Sequence, residues 1–146
     1  MTARALIIEA RFYDDIADML LAGARAELKR RGFAHELISV PGVLEIPPAL
    51  KMAVHASRRR DLSFDAYLVL GCVLRGETGH YDIVAGEGNR AIMDLTVAGP
   101  LALGNAILTV DTLEQAVVRA DPDKMNKGGE AAAAAIALFD IRNALT

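Results

Sequence analysis

The chain opens with Arg4-Ala-Leu-Ile-Ile-Glu9, a short apolar run rich in strand formers that predicts a buried strand. The pattern then changes period. Ile16, Leu20, Ala24 and Leu28 recur every four residues and define one face of a helix. Asp14 and Asp15 stand before that face, acids suited to capping and to the positive end of a helix. Lys29, Arg30 and Arg31 complement its other end, and Gly32 stops it. A second strand is expected at about His35–Val40, closed by Pro41-Gly42. A second helix should start near Pro47-Pro48, because proline is tolerated in a first turn. It ends at Arg58-Arg59-Arg60, a basic triplet read as a solvated helix end.

Phe64–Val73 carries the clearest strand signal, with Tyr67-Leu-Val-Leu70 unbroken, as in a parallel strand covered on both faces. A polar loop follows, then a helix from roughly Tyr81 to Val97. Asn105–Val110 predicts a fourth strand, and Asp111-Thr112 caps a short helix through Ala120. Asp121-Pro122-Asp123 breaks it. Gly128-Gly129 then precedes an alanine-rich last helix over 130–144, whose five consecutive alanines allow a neighbouring helix to approach closely. The alternation of strand and helix implies a parallel sheet with helices on both faces. In such sheets ligands sit beyond the C-terminal ends of the strands. Four places qualify here: Arg11-Phe12, Gly42–Glu45, Cys72–His80 and the turn after Val110.

With 146 residues and no linker, repeat or low-complexity boundary, the chain reads as a single domain over residues 1–146. An apolar share of 53% and a charged share of 24% exclude a disordered chain. A net charge of −3 gives no basic excess for nucleic acid and no acidic tail for a basic partner. The longest apolar runs, Ala66–Leu74 and Ala131–Phe139, are nine residues each, about half of what a membrane span requires. Met1-Thr2-Ala3-Arg4 runs straight into the first strand, so no secretory signal is expected. One cysteine, Cys72, forms no internal disulfide, which fits a cytoplasmic protein.

Gly71-Cys-Val-Leu-Arg-Gly-Glu-Thr-Gly-His80 is the most unusual stretch. Its glycines let backbone N–H groups approach an anion, Thr78 adds a donor, and a helix N-terminus follows, so a phosphate or carboxylate fits there. His80 is the only histidine in a strand-end loop, and an imidazole titrates in the range that suits acid–base work. Cys72 could be a nucleophile with His80 as its base. It closes an apolar strand, however, and cysteine is among the most buried residue types. The three histidines lie at unrelated spacings and no second cysteine exists, so no metal is implied. Gly86-Glu-Gly-Asn-Arg-Ala91 formally matches a dinucleotide fingerprint but falls inside a predicted helix, the wrong context. Phe12 could stack on a planar ring or plug the core, and its position alone does not separate the two. Arg119 and Lys127 flank the Asp121-Pro122-Asp123 break, where cations are ordinary.

Together these segments resemble the lumazine synthase family over nearly the whole chain. The landmarks are Ala10-Arg-Phe12, Val40-Pro-Gly-Val-Leu-Glu-Ile-Pro47, Leu70 through Asp82, Ile107-Leu-Thr109, Glu114 through Ala120 and Asn126-Lys-Gly-Gly-Glu130. The resemblance implies a flavodoxin-like three-layer α/β/α sandwich around a four-stranded parallel sheet. It implies homopentamers, or multiples of pentamers, with active sites at subunit interfaces. Two small molecules would condense, 5-amino-6-(D-ribitylamino)uracil and 3,4-dihydroxy-2-butanone 4-phosphate. The products would be 6,7-dimethyl-8-ribityllumazine, phosphate and water, formed without cofactor or metal. Carried onto this chain, the resemblance assigns Phe12 to stacking on the pyrimidine, and Val43, Leu44 and Glu45 to the ribityl site. Cys72, Val73 and Leu74 line the pyrimidine pocket, and Glu77 and Thr78 sit at the phosphate loop. His80 matches the proton-transfer histidine. Arg119 and Lys127 match a phosphate-binding arginine and a nearby lysine, which in the family come from the adjacent subunit.

Three positions depart from the pattern: Tyr13 stands where an asparagine is common, Leu44 where an aromatic is frequent, and Asn105 where a phenylalanine often covers the pyrimidine. The chain also starts just before its first strand, whereas relatives with an extra N-terminal strand are longer, which makes a capsid less expected. A catalytically silent relative that binds ligand or serves in assembly is a competing reading, and intact His80 and Arg119 argue against it. An unrelated flavodoxin-like signalling domain is another. The first strand ends without the clustered acids a phosphoacceptor needs.

Overall fold

The computed structural model describes residues 2–60 and 63–146; the side chains of Arg58–Arg60 lie outside the described residues. Its elements are β1 (Arg4–Ala10), α1 (Asp14–Arg30), β2 (Ala34–Val40), a 3-10 turn (Val43–Glu45) and α2 (Ile46–Arg60). They continue as β3 (Ala66–Leu74), α3 (His80–Ala98), β4 (Leu103–Val110), α4 (Leu113–Ala120) and α5 (Lys127–Leu145). All four strands pair in parallel, in the order β2-β1-β3-β4. The central strands β1 and β3 are buried almost throughout, which explains their unbroken apolar sequences. Edge strands β2 and β4 keep exposed polar positions such as Glu36, Asn105 and Thr109.

Each face of the sheet has its own core. Ala5, Ile7, Leu68, Leu70, Ala106 and Leu108 pack with the buried stripe of α1, with α5 and with α4. Leu6, Ile8, Tyr67, Val69 and Ile107 pack with Ile46 and Leu50 of α2 and Ile92 of α3. This is a flavodoxin-like three-layer α/β/α sandwich. Each large aliphatic side chain removed from water contributes about 1.5–3 kcal/mol.

The last helix shows how packing overrides propensity. Gly128 and Gly129 do not precede α5 but form part of its first turn, both buried. A Cβ on Gly128 would lie 2.0 Å from the Leu20 carbonyl oxygen of α1, so only glycine allows the two backbones to meet there. Asn126 takes the left-handed conformation (φ 49°) and caps the helix by accepting the Gly129 N–H at 3.2 Å. Its side chain also fills the space left by Gly23 of α1. On the next turns Ala131, Ala132 and Ala135 are buried, as the alanine run led one to expect.

Other boundaries moved for equally local reasons. Asp14 and Asp15 lie inside the first turn of α1, where Tyr13 is the N-cap and makes no side-chain capping bond. Phe64 precedes β3 and packs edge-on against Tyr67, with ring centroids 6.0 Å apart. Thr112 caps α4 in a reciprocal box with Gln115, the capping role expected for the Asp111-Thr112 pair. Gly32 has φ of +78° after α1, the left-handed stop anticipated for it.

Gly104 of β4 tests the tight contact with α5. A Cβ there would lie 1.9 Å from the Ala131 carbonyl oxygen, which cannot move without shifting the helix. Gly104→Ala is expected to lower unfolding free energy by about 3 kcal/mol, the upper part of the usual overpacking range. Urea titration would show this as a lower midpoint; an unchanged midpoint would mean that α5 does not bear on β4 this closely.

Candidate active site

A cavity of about 370 Å³ opens at the C-terminal ends of β1 and β3. The strand order reverses between these two strands, and that crevice is where open α/β sheets place ligands. Phe12 and Tyr13 form one wall, in the turn between β1 and α1. Gly42 and the turn Val43-Leu44-Glu45 form a second. Cys72, Val73 and Leu74 of β3 make the floor, and Gly76, Thr78, His80, Tyr81 and Val84 close the far side.

The second wall is held by Val43, the buried residue of its turn. Its two methyl groups lie 3.0 Å from where a Cβ would stand on Gly71 of β3 and on Gly88 of α3. The glycines form a slot that accepts the valine. This is the role of Gly88 within the dinucleotide-like Gly86–Ala91 run, which lies in mid-α3 as expected. With Val43 seated, Leu44 and Glu45 face the cavity.

The loop 75–79 is closed at its base. The Arg75 guanidinium lies over the Tyr81 ring at 4.2 Å, and its Nε donates to Asp111 Oδ1 at 2.9 Å. This ties the His80 loop to the turn after β4. Inside the loop the His80 backbone N–H donates to Thr78 Oγ1 at 3.3 Å. His80 is exposed as the first residue of α3 and its side chain lines the cavity, free of strand packing.

Opposite, the Phe12 ring is 73% exposed and meets Tyr13 edge-on, with centroids 4.9 Å apart and planes at 72°. Burial, with a lesser effect from Cys72, raises the Tyr13 phenol above its ordinary pKa. Cys72 is buried, and burial pushes its thiol up to about 11. Arg11 is held above its ordinary pKa first by its hydrogen bond to Asp18, then by Asp14 and the charges of Glu9 and Asp18, against the opposing effect of burial.

The structure thus brings Phe12, Val43, Leu44, Glu45, Cys72, Val73, Leu74, Thr78 and His80 around one cavity. It does not bring Glu77, Asn105, Arg119 or Lys127 to that lining. Glu77 is exposed on the loop. Asn105 is occupied within the chain: its Oδ1 accepts the Ile107 N–H at 2.8 Å and its Nδ2 donates to Asn89 at 3.0 Å. Arg119 donates to the Gln115 carbonyl at 3.1 Å, and Lys127 pairs with Glu130 at 3.1 Å. Among the described residues, no lysine or arginine lines the cavity. Tyr13, Tyr81 and Val84 were not among the expected site residues. The spacing of His80 and Val84, four apart and so on one helical face, was the available signal for Val84. Among the described residues, no cluster of His, Cys, Asp or Glu suits a metal ion, and no helix is long and apolar enough to cross a membrane.

A parallel α/β sandwich with a cavity at its switch point, walled by an aromatic ring, a carboxylate and an imidazole, defines a small-molecule enzyme of flavodoxin-like build. Residues 2–143 match the family described as 6,7-dimethyl-8-ribityllumazine synthase. Proteins carrying that name are similar along almost the full chain. One from Methylorubrum populi is 57% identical over 141 residues, covering 97% of this chain and 83% of the relative. One from Afipia carboxidovorans is 50% identical over 143 residues, covering 98% and 88%. A protein of Rhodopseudomonas palustris, named 6,7-dimethyl-8-ribityllumazine synthase 1, is 54% identical, with the same coverage. The chain belongs to the 6,7-dimethyl-8-ribityllumazine synthase family.

The raised thiol pKa yields a direct test. At pH 7 to 8 the Cys72 thiol stays protonated, so alkylation by iodoacetamide is expected to be slow and to accelerate as pH climbs toward about 11. Cys72→Ala should keep most of its turnover. Fast alkylation near neutrality, or lost turnover in a variant that still binds substrate, would restore the nucleophile reading.

Proposed function

We propose that this chain condenses 5-amino-6-(D-ribitylamino)uracil with 3,4-dihydroxy-2-butanone 4-phosphate, a late step of riboflavin biosynthesis. The observation that carries the reading is the gathering of an aromatic ring, a carboxylate and an imidazole around one cavity, in a chain of this family. Mixing the two substrates with the protein and following lumazine fluorescence and phosphate release tests it. Absence of both signals with folded protein overturns it.

Phe12 stacks on the pyrimidine, and Cys72, Val73 and Leu74 bound the same ring. Val43 and Leu44 flank the ribityl chain, and Glu45 accepts hydrogen bonds from its hydroxyls. The phosphate of the four-carbon substrate rests near Glu77 and Thr78, whose backbone amides serve better than the Glu77 carboxylate. The pyrimidine amine attacks the ketone, and loss of water gives an imine. Removal of the proton from the neighbouring hydroxyl-bearing carbon then expels phosphate and leaves an enol, which becomes a second carbonyl when its methylene carbon is protonated. The ribityl-bearing nitrogen attacks the second carbonyl, and loss of another water closes the ring. His80 gives and takes the protons of these steps. Nothing in this sequence of steps calls for a metal or an organic cofactor, and the enzyme works in the cytoplasm.

Among the described residues no cation lines the cavity, and a phosphate needs one. We assign that cation to Arg119 of an adjacent subunit, with Lys127 nearby and Asn105 near the bound pyrimidine, in a homopentamer or a multiple of pentamers. A head-to-tail ring repeats one heterologous contact between each pair of neighbours, so every site is completed in the same way. Ile83, Met93 and Val97 leave an apolar stripe on α3 for such a contact.

His80→Ala is expected to lower turnover by about 10²–10⁴-fold, the usual contribution of a positioned acid–base group. The reaction also proceeds slowly unaided, so some turnover should remain. Wild-type turnover in a folded variant would remove His80 from the mechanism.

Sharing of the site is tested by mixing. His80→Ala and Arg119→Ala subunits, unfolded and reassembled in equal amounts, give an intact site only where a normal His80 meets a normal Arg119. Random mixing produces this at about one quarter of contacts whatever the ring size, so activity should rise toward about a quarter of wild type. Native mass spectrometry establishes that mixed rings have formed. Mixed rings with no recovered activity would place the site within one chain.

A further inference from the structure

Among the described residues Glu9 is the buried charged side chain, 1% exposed, and no step of the proposed reaction uses it. It stands at the C-terminal end of β1 on the face covered by α1, one residue from the cavity wall's turn. A carboxylate in such a place is unfavourable unless its oxygens are well partnered. Both are: Oε1 accepts from Arg11 Nη1 at 2.8 Å, and Oε2 accepts from Ser39 Oγ at 2.6 Å.

Arg11 spends its other donors on the start of α1. Its Nε donates to Asp14 Oδ1 at 2.9 Å, and its Nη2 donates to the Asp14 carbonyl at 3.3 Å and to Asp18. Its backbone N–H donates to the Val40 carbonyl at 3.0 Å. Arg11 is therefore fixed from β1, from β2 and from α1 at once. The next residue is Phe12, whose ring stands largely in solvent and touches Tyr13 edge-on. An exposed ring on a free turn would sample several orientations, and binding a planar ligand would first have to select one.

We propose that Glu9 and Arg11 are positioning residues for Phe12, setting the turn between β1 and α1 so that its ring is presented to the pyrimidine before substrate arrives. This rests on the assignment of Phe12 to the pyrimidine site. The planar fork of Arg11 reaches a buried carboxylate, two surface carboxylates and a backbone carbonyl together, and a lysine ammonium offers no such fork. Ser39 brings the end of β2 into the same arrangement, ahead of the turn that carries Glu45.

The experiment measures KM for each substrate separately in Arg11→Lys, Phe12→Ala and the double variant. Arg11→Lys should raise KM for the ribitylaminouracil by up to about tenfold, the cost of ordering one side chain on binding, and leave KM for the phosphate substrate unchanged. Because Arg11 acts through Phe12, the double variant should lose no more than Phe12→Ala alone. Asp14→Ala combined with Asp18→Ala removes both outer carboxylates from Arg11 while keeping its pair with Glu9, and should raise the same KM to a smaller extent. That variant carries the test if Arg11→Lys does not fold. If Phe12→Ala raises this KM while the Arg11 and Asp14/Asp18 variants leave it unchanged, or if losses add in the double variant, the positioning role is wrong. Equal increases in both KM values would mark a general structural effect and also overturn it. If Phe12→Ala itself has no effect, the pyrimidine assignment falls first and the positioning role with it.

Discussion

Val43 lies between Gly71 of β3 and Gly88 of α3, close enough that a Cβ on either glycine would stand 3.0 Å from one of its methyl groups. The cavity depends on this contact. The turn Val43–Glu45 is too short to bury a face of its own, and a single valine anchors it. Through that anchor the end of β2, the central strand β3 and the helix that starts with His80 acquire fixed relative positions. Leu44 and Glu45 then have one direction left to face. Protein interiors are dense enough that an added methyl on either glycine would shift the turn rather than be absorbed, and the wall of the site would move with it.

A second constraint is the placement of positive charge. Arg75 opens the loop 75–79 beside the cavity, yet its guanidinium is engaged by Asp111 at 2.9 Å and stacked on Tyr81. It shapes the loop. Arg119 and Lys127 are turned to partners on their own helices. Among the described residues of a single chain, His80 and Phe12 line the cavity but no cation does, so oligomerisation and catalysis become one requirement under the proposed reading. Neither Arg119 nor Lys127 is buried in a strong competing pair, so each can turn toward an anion on a neighbouring chain at small cost.

Much of this was legible in the sequence because period and punctuation reported it. The unbroken runs of β1 and β3 announce strands covered on both faces, and the four-residue spacing from Ile16 to Leu28 announces α1. What failed was set by distant partners. Gly128 and Gly129 read locally as residues ahead of the last helix. The approach of Leu20 to Gly128 and of the Asn126 side chain to Gly129 shows why glycines stand inside its first turn. Glu9 read as the polar end of a strand. Its partner Ser39 lies thirty residues away and meets it only because the β1–β2 register sets Glu9 against Ser39. Tyr81 lines the site with the Arg75 guanidinium over its ring, a contact that no spacing rule predicts.

The exposure of His80 bears on how this site can accelerate its reaction. An imidazole at an open helix start works beside water, so its electrostatic advantage over solvent is limited. What the fold supplies more fully is arrangement: Arg11 held from three sides beside the Phe12 ring, a turn locked by Val43, and a loop closed between Arg75 and Tyr81. Bringing two reactants into fixed contact is worth up to about 7–11 kcal/mol of a barrier when their geometry is set in advance. For a condensation of two substrates, such an arrangement can carry most of the rate enhancement, with His80 moving the protons under the proposed reading. Val43 sits in its slot between two glycines and Tyr81 lies under the Arg75 guanidinium, while His80 stands exposed at the start of α3.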